Sequence, residues 1–312
     1  MTDGILLHVE GGLARVTFDR PASLNAMDFP MARRWREVAH EVTSDSSVGA
    51  VILDATGPAF CAGGDVVAMA TTGASGADVT ETAEAIHDGI RTFVEAPLPM
   101  VAAVQGVVAG GGLGLMLTAD YVVASENARF VSRYANIGLT PDLGVSTLLP
   151  AAIGQRRALQ LLLQDRMIDA AEALEWGLVA EVVASTDLAS RVEEIARFWL
   201  TGPTAAFGQA TRLVRVGAGR TFAENLADEA ATIGAAFETP EARGRGAAFA
   251  AARFGRRGIH RNGGEPALLA PLPMTALRLA VEDAAPLARL GLERIVDLVA
   301  TPTPPLAARL GP

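Results

Sequence analysis

Two glycine-bearing stretches carry the clearest chemistry in this sequence: Cys61-Ala62-Gly63-Gly64-Asp65 and Gly106-Val107-Val108-Ala109-Gly110-Gly111-Gly112-Leu113-Gly114. Glycine lets a ligand approach the backbone closely and tolerates positive φ. The second stretch also opens a predicted helix, whose first N–H groups lack intrahelical partners and lie at the positive end of the helix dipole. Backbone N–H groups so placed suit a carbonyl oxygen that gains negative charge during reaction. One such donor is typically worth roughly 2.7–4 kcal/mol. Taken alone, a glycine cluster also fits plain tight packing. A phosphate loop competes, but no Gly-Lys-Ser/Thr follows, and the dinucleotide GxGxxG spacing is not met in a strand–turn–helix setting.

The elements that would hold these turns follow from hydrophobic period. Residues 5–10 and 13–19 alternate apolar and polar around Gly11-Gly12, which predicts a hairpin. A helix is expected over 31–43, with Asp28 a cap ahead of Pro30. Val48–Asp54 and Met100–Val104 read as strands buried on both faces, each running into one glycine turn. Residues 71–79, rich in Gly, Ser, Ala and Thr, read as a surface loop before a helix over 81–95. A helix to about Ala119 follows the second glycine cluster, then short strands at Tyr121–Ala124 and Ala128–Ser132. Beyond them the pattern is helical, with capping-type spacing at Asp169…Glu172 and Thr221…Glu224, and an N-cap at Thr239-Pro240. Strands alternating with helices, then helices alone, imply an α/β parallel-strand core with a helical C-terminal region.

Composition narrows the class. Half of the 312 residues are apolar and the formal charge is −9, which argues for a globular protein and against a nucleic-acid partner. All 26 basic residues are Arg, so Schiff-base lysine chemistry is excluded and a phosphate would be held by Arg, His or backbone amides. Cys61 is the sole cysteine, so no intrachain disulfide forms, and with no signal peptide apparent after Met1 a cytoplasmic location is expected. Cys61 itself reads as a small buried side chain. Residues 99–119 carry no charge and satisfy a hydropathy window for a membrane span. The central Gly110-Gly111-Gly112 is poor helix, however, and favours a buried strand followed by a buried helix, so no membrane partner is expected. Eight of the 17 prolines fall in the last 52 residues, which sets 259–312 apart as a Pro-rich extension with a linker-like 262–266 and an amphipathic stretch at 287–300.

The motifs together resemble the enoyl-CoA hydratase/isomerase (crotonase) superfamily. Asp19-Arg20-Pro21…Leu24-Asn25-Ala26-Met27, Ala59 through Asp65, Pro99 and Ala102 through Gly112, and Asp120 match it in order and spacing. Ile137 through Gly144 and Ala171 through Val179 extend the match, which covers about 5–255. The resemblance implies a crotonase-like (ClpP/crotonase) spiral of β-β-α units over 1–200, a C-terminal helical trimerisation region over 201–258, and a homotrimer or hexamer. It implies an acyl-CoA substrate, no cofactor beyond the coenzyme A that substrate carries, and no metal. The family's oxyanion hole falls on Gly64 and Gly111. Its CoA-binding backbone falls on Asn25, Ala26 and Met27, and on Ala62, Asp65 and Val66.

Hydratases of the family use two glutamates, and the matching positions here are Gly114 and Tyr134, so classical hydration is not expected. One carboxylate remains, Asp142, in a segment similar to that of family isomerases, including the ring-epoxide isomerase of phenylacetyl-CoA breakdown. The resemblance makes Asp142 the proton-handling acid; spacing alone makes it a cap for a short helix beginning near Gly144. Tyr134 lines the acyl pocket or is core. His87, on the predicted 81–95 helix, is either solvated packing or part of the His–aromatic–Asp set of the superfamily's aryl-CoA dehalogenases, in which the Asp is a nucleophile. Asp65 is expected to brace the first glycine turn. Relatives carry a Lys near the C-terminal helix where this chain has Phe249-Ala250-Ala251-Ala252-Arg253. The expected function is therefore an enoyl-CoA double-bond or ring isomerase. The alternatives are an Asp-nucleophile dehalogenase or thioester hydrolase, and a non-catalytic acyl-CoA-binding homologue.

Overall fold

A computed structural model describes residues 3–164 and 166–254. The chain opens with a hairpin, β1 (Ile5–Glu10) and β2 (Leu13–Phe18), paired antiparallel from Ile5↔Phe18 to Glu10↔Leu13. Gly11 and Gly12 both take positive φ at its turn, the geometry that matches strand twist. α1 (Phe29–Ser44) follows, started by the Asp28 carboxylate accepting from Met31 N at 2.9 Å. β3 (Ala50–Ala55), β4 (Met100–Val104), β6 (Tyr121–Ser125) and β9 (Glu181–Val183) then add to β2 in parallel, giving a six-stranded sheet in the order β1-β2-β3-β4-β6-β9. A second sheet holds β5 (Val107–Ala109), β7 (Arg129–Val131) and β8 (Met167–Asp169). The chain passes from one sheet to the other and back, the spiral expected of the crotonase-like class.

The expectation of strands buried on both faces holds for a visible reason. In β3 and β4 alternate residues enter two different cores. Val51, Leu53, Met100, Ala102 and Val104 join the main cluster, whereas Ile52, Val101 and Ala103 pack with Val123 against Leu188, Val192, Ile195 and Ala196 of α7 (Leu188–Thr201). The main core is anchored by aromatics, with Phe18 against Phe60 and Trp35 at centroid distances of 5.4 and 5.9 Å, and Trp35 against Phe93 at 5.2 Å. Trp35 Nε1 also donates to the Ile86 carbonyl, fixing α1 against α3 (Gly76–Glu95).

Two expectations are corrected, and one about 99–119 is met. Residues 71–79 are not one loop: α2 (Val66–Thr72) runs into them, and α3 begins at Gly76 behind a Ser75–Asp78 capping box that outweighs the flexible composition. The helix after the glycine cluster, α4 (Gly111–Met116), stops short of Ala119. Residues 99–119 form β4, β5 and α4 rather than a span, and among the described residues no helix is long and apolar enough to cross a membrane. α5 (Val145–Leu163), α6 (Ala170–Trp176), α8 (Thr204–Gly217), α9 (Phe222–Phe237) and α10 (Pro240–Phe254) are the remaining α-helices among the described residues. The predicted caps act at Asp169, Thr221 and Thr239. The described residues divide into two units, with the boundary between Asn225 and Leu226. The Pro-rich extension 259–312, with its 262–266 and 287–300 segments, and the Arg253 side chain lie outside the described residues.

Candidate active site

The first glycine turn is held alongside β5. Phe60 N donates to Gln105 O, Cys61 N to Val107 O, and Ala109 N to Cys61 O at 3.0 Å. Cys61 is fully buried, and burial pushes its thiol up to about 12, so the small-side-chain reading stands and no thiolate nucleophile is present. Gly63, at φ +94, turns the chain beneath the 109–111 segment: a β-carbon there would lie 2.8 Å from Ala109 O and 3.2 Å from Gly111 N. The N–H groups of Gly64 and Gly111 therefore belong to facing turns. Among the described residues neither donates to a protein acceptor. Two N–H groups without a protein acceptor thus lie on neighbouring turns, one of them opening a helix.

The segments expected to bind CoA lie side by side. Met27 N donates to Gly63 O at 2.7 Å, Asp65 N to Met27 O at 2.9 Å, and Ala62 N to Leu24 O at 3.0 Å. The Asn25 side chain is engaged within the fold: it accepts from Arg20 N and donates to Thr56 O and Ala59 O. Asp65 caps α2 by accepting from Ala68 N at 2.9 Å, and Arg20 bridges Asp65 and Asp28 at 3.1 Å each. Asp65 thus braces the glycine turn, and Arg20 is its anchor, a role the Asp-Arg-Pro motif alone did not reveal.

Asp142 sits over the second turn. A β-carbon on Gly111 would lie 3.3 Å from its Oδ1, and that oxygen accepts a 2.5 Å hydrogen bond from the buried Tyr134 hydroxyl. Burial raises the Asp142 carboxyl above its ordinary range, while the hydrogen bond from Tyr134 pulls the other way. Burial and the adjoining carboxylate push the Tyr134 phenol up, so it is a donor here and not a base. The cap reading for Asp142 fails: α5 is N-capped by Gly144 with no side-chain hydrogen bond, and only the Asp142 carbonyl accepts from Val145 N. His87 Nε2 accepts from Leu143 N at 3.1 Å, which brings His87, Tyr134, Asp142 and Gly111 into one neighbourhood.

Gly114 faces the same turn. A β-carbon there would lie 1.8 Å from Leu143 O and 2.8 Å from Leu143 C, so no side chain, and no glutamate, fits the present backbone. Leu143 itself, at φ +47, is the residue sequence reasoning missed. A left-handed leucine has no sequence signature, although Gly144 beside it marks a turn. A cavity of about 410 Å³ opens elsewhere, between α1, α3 and residues 72–74, and none of Gly64, Gly111, Tyr134 or Asp142 lines it. Among the described residues no group of three or more His, Cys, Asp or Glu is placed to hold a metal.

Residues 8–253 match the enoyl-CoA hydratase/isomerase family. The chain belongs to that family. It is 34% identical to the 1,2-epoxyphenylacetyl-CoA isomerase of Escherichia coli over 67% of this chain and 80% of that one. It is also 34% identical to a 4-chlorobenzoyl coenzyme A dehalogenase of an Arthrobacter species, over 67% and 77% respectively. Among solved structures, an enoyl-CoA hydratase of Mycobacterium smegmatis superimposes with a TM-score of 0.74 at 28% identity, covering 79% of this chain and 95% of that one. The protein is thus an acyl-CoA enzyme of the enoyl-CoA hydratase/isomerase family with a crotonase fold. The two positions where the resemblance leads one to expect glutamates hold a glycine packed on a backbone carbonyl and a tyrosine bonded to Asp142.

Proposed function

We propose that this enzyme isomerises an enoyl-CoA, moving a double bond or opening a strained ring next to the thioester, with Asp142 as a single proton shuttle. The observation that carries the reading is the part-buried Asp142 carboxylate beside Gly111, at a site whose two glutamate positions are a glycine and a tyrosine. In the proposed mechanism the thioester oxygen accepts from the N–H groups of Gly64 and Gly111. For double-bond movement Asp142 removes a proton from a carbon next to the thioester-conjugated system, the enolate oxygen is held by the two donors, and the same carboxyl returns the proton to another carbon of that system. A raised carboxyl pKa suits both halves, since the group must accept a proton and release it. Concerted addition of water needs a second acid–base group, and none is supplied by Gly114 or by the phenol of Tyr134.

In this reading the CoA portion runs along Asn25–Met27 and Ala62–Val66 through backbone contacts, and its phosphates are met by arginine, histidine or backbone amides. The exposed apolar side chains of Phe222, Ile233 and Phe237 on α9 support assembly into a homotrimer or hexamer, which light scattering on a sizing column checks.

A second reading is favoured by the nearness of His87 to Asp142 and by the dehalogenase relative: Asp142 attacks an aryl or acyl carbon and water releases the product. Mass spectrometry on 3-enoyl-, 2-enoyl- and aryl-CoA substrates in deuterated water separates the readings. Deuterium uptake without gain of water supports isomerisation. Gain of one water marks hydration, free CoA marks thioester hydrolysis, and halide loss from a 4-halobenzoyl-CoA marks dehalogenation; any of these without isomerisation overturns the proposal. Tight binding without turnover on the whole panel points to the non-catalytic homologue.

A further inference from the structure

We infer that His87 is a positioning residue that works as a hydrogen-bond acceptor: its Nε2 holds the Leu143 N–H and thereby fixes the turn that presents Asp142. This deepens the isomerase reading above and rests on Asp142 being the working acid.

Donor and acceptor roles at this contact are set by chemistry. A backbone N–H only donates, so the His87 Nε2 at 3.1 Å uses its lone pair. The ring is then neutral and carries its proton on Nδ1. A general base needs a free lone pair aimed at water or substrate, and neither nitrogen offers one: Nε2 is engaged and Nδ1 bears a proton.

The bond falls where the backbone most needs support. Leu143 is a buried non-glycine residue at φ +47, a conformation that persists only when its surroundings hold it. Its side chain lies against Gly111, with Cδ1 2.4 Å from where a β-carbon on that glycine would be, and its carbonyl presses on Gly114. Its N–H stands just ahead of α5, whose Gly144 N-cap supplies no side-chain acceptor, so without His87 it would be a buried donor with no partner. Residue 142 is therefore gripped twice. Tyr134 holds the carboxylate, and His87, from α3, holds the following peptide. Loss of either grip lets the acid drift from the glycine N–H groups, and a shift of about 1 Å at a reacting group is enough to slow turnover about 10²-fold.

The test compares His87→Gln, whose amide oxygen reaches the same place as an acceptor, with His87→Ala, which removes it. Turnover is read on the best substrate of the panel. In the same full-length proteins, the ¹⁵N shifts of His87 and the hydrogen exchange of the Leu143 amide are read by NMR. Expected are the Nδ1–H tautomer in the unmodified protein, a protected Leu143 amide in it and in His87→Gln, and fast exchange in His87→Ala. His87→Gln should keep kcat within about threefold, and His87→Ala should lose about ten- to a hundredfold in kcat with KM little changed. An Nε2–H or charged ring, an equally fast Leu143 amide in both variants, or a His87→Gln as inactive as His87→Ala would overturn the inference. The tautomer and exchange readings need no turnover, so they stand or fall separately from the isomerase reading.

Discussion

Gly114→Ala puts the packing of the site to a test of sign. On helix propensity alone, alanine at this α4 position should stabilise the protein by about 1 kcal/mol. The structure requires the opposite. The new β-carbon would lie 1.8 Å from the Leu143 carbonyl oxygen, and an ordinary carbon–oxygen contact of about 3.3 Å calls for a shift of about 1.5 Å. Neither side yields easily: Gly114 sits in a buried helix, and the oxygen is main chain in a turn whose N–H is held by His87. Overpacking of this kind costs about 1–3 kcal/mol, which outweighs the propensity gain in most of that range. A net loss of up to about 2 kcal/mol lowers the melting temperature by up to about 8 °C in a domain of this size. Because the displaced atoms adjoin Asp142, turnover should fall about 10²-fold, mainly in kcat. Calorimetry and steady-state kinetics on the alanine variant measure both. A melting temperature equal to or above that of the parent, with turnover intact, would refute the reasoning. Installing glutamates at both family positions, Gly114→Glu with Tyr134→Glu, should likewise lower stability without creating hydration of 2-enoyl-CoA, which a water-addition assay reads directly.

Asp142→Asn should abolish isomerisation, by about 10²–10⁴-fold, while leaving circular dichroism unchanged. The same variant should melt higher at pH 7. Burial raises the Asp142 carboxyl in the fold, so its contribution to stability is present below the ordinary carboxylate range and is lost as pH rises through the folded value. The melting-temperature gap should therefore close on acidification; a gap that widens contradicts the assignment of a raised carboxyl. Tyr134→Phe removes the donor that favours the ionised form, so the acid limb of kcat/KM should move to higher pH, and an unmoved limb would show that the phenol does not tune the acid. Asn25→Ala leaves buried backbone groups at Arg20, Thr56 and Ala59 without their partner and should cost about 1–3 kcal/mol in urea unfolding, with KM for the thioester nearly unchanged. A raised KM at unchanged stability would instead place the Asn25 side chain on the ligand.

The sequence made the strands, the glycine turns and most helix caps readable, because each rests on local rules. Alternation marks β1 and β2, an apolar run marks β3, and Asp28, Asp169 and Thr221 sit at cap spacing. The errors came where a local rule met a competing one. At 71–79 small residues suggested a loop, yet the Ser75–Asp78 box is enough to start α3 at Gly76. At Asp142 the enrichment of aspartate at helix starts pointed to a cap, but Gly144 takes that place and frees the carboxylate. What lay beyond reach was non-local. No spacing joins His87 on α3 to Leu143, 56 positions later, and no propensity places leucine at φ +47.

That leucine links two facts that seem separate in the sequence, the missing glutamate at 114 and the aspartate at 142. A glutamate at 114 needs a β-carbon where the Leu143 carbonyl now stands, so the two cannot share this backbone. Glycine at 114 is what lets residues 142–144 settle onto α4, and that settling carries the Asp142 carboxylate to the edge of Gly111. Tyr134 follows from the same arrangement. A second carboxylate at 134 would share the part-buried surroundings of Asp142 and repel it, whereas the phenol there donates to it. The three positions therefore behave as one unit, and reverting any single one toward a hydratase should damage the Asp142 site before it builds another.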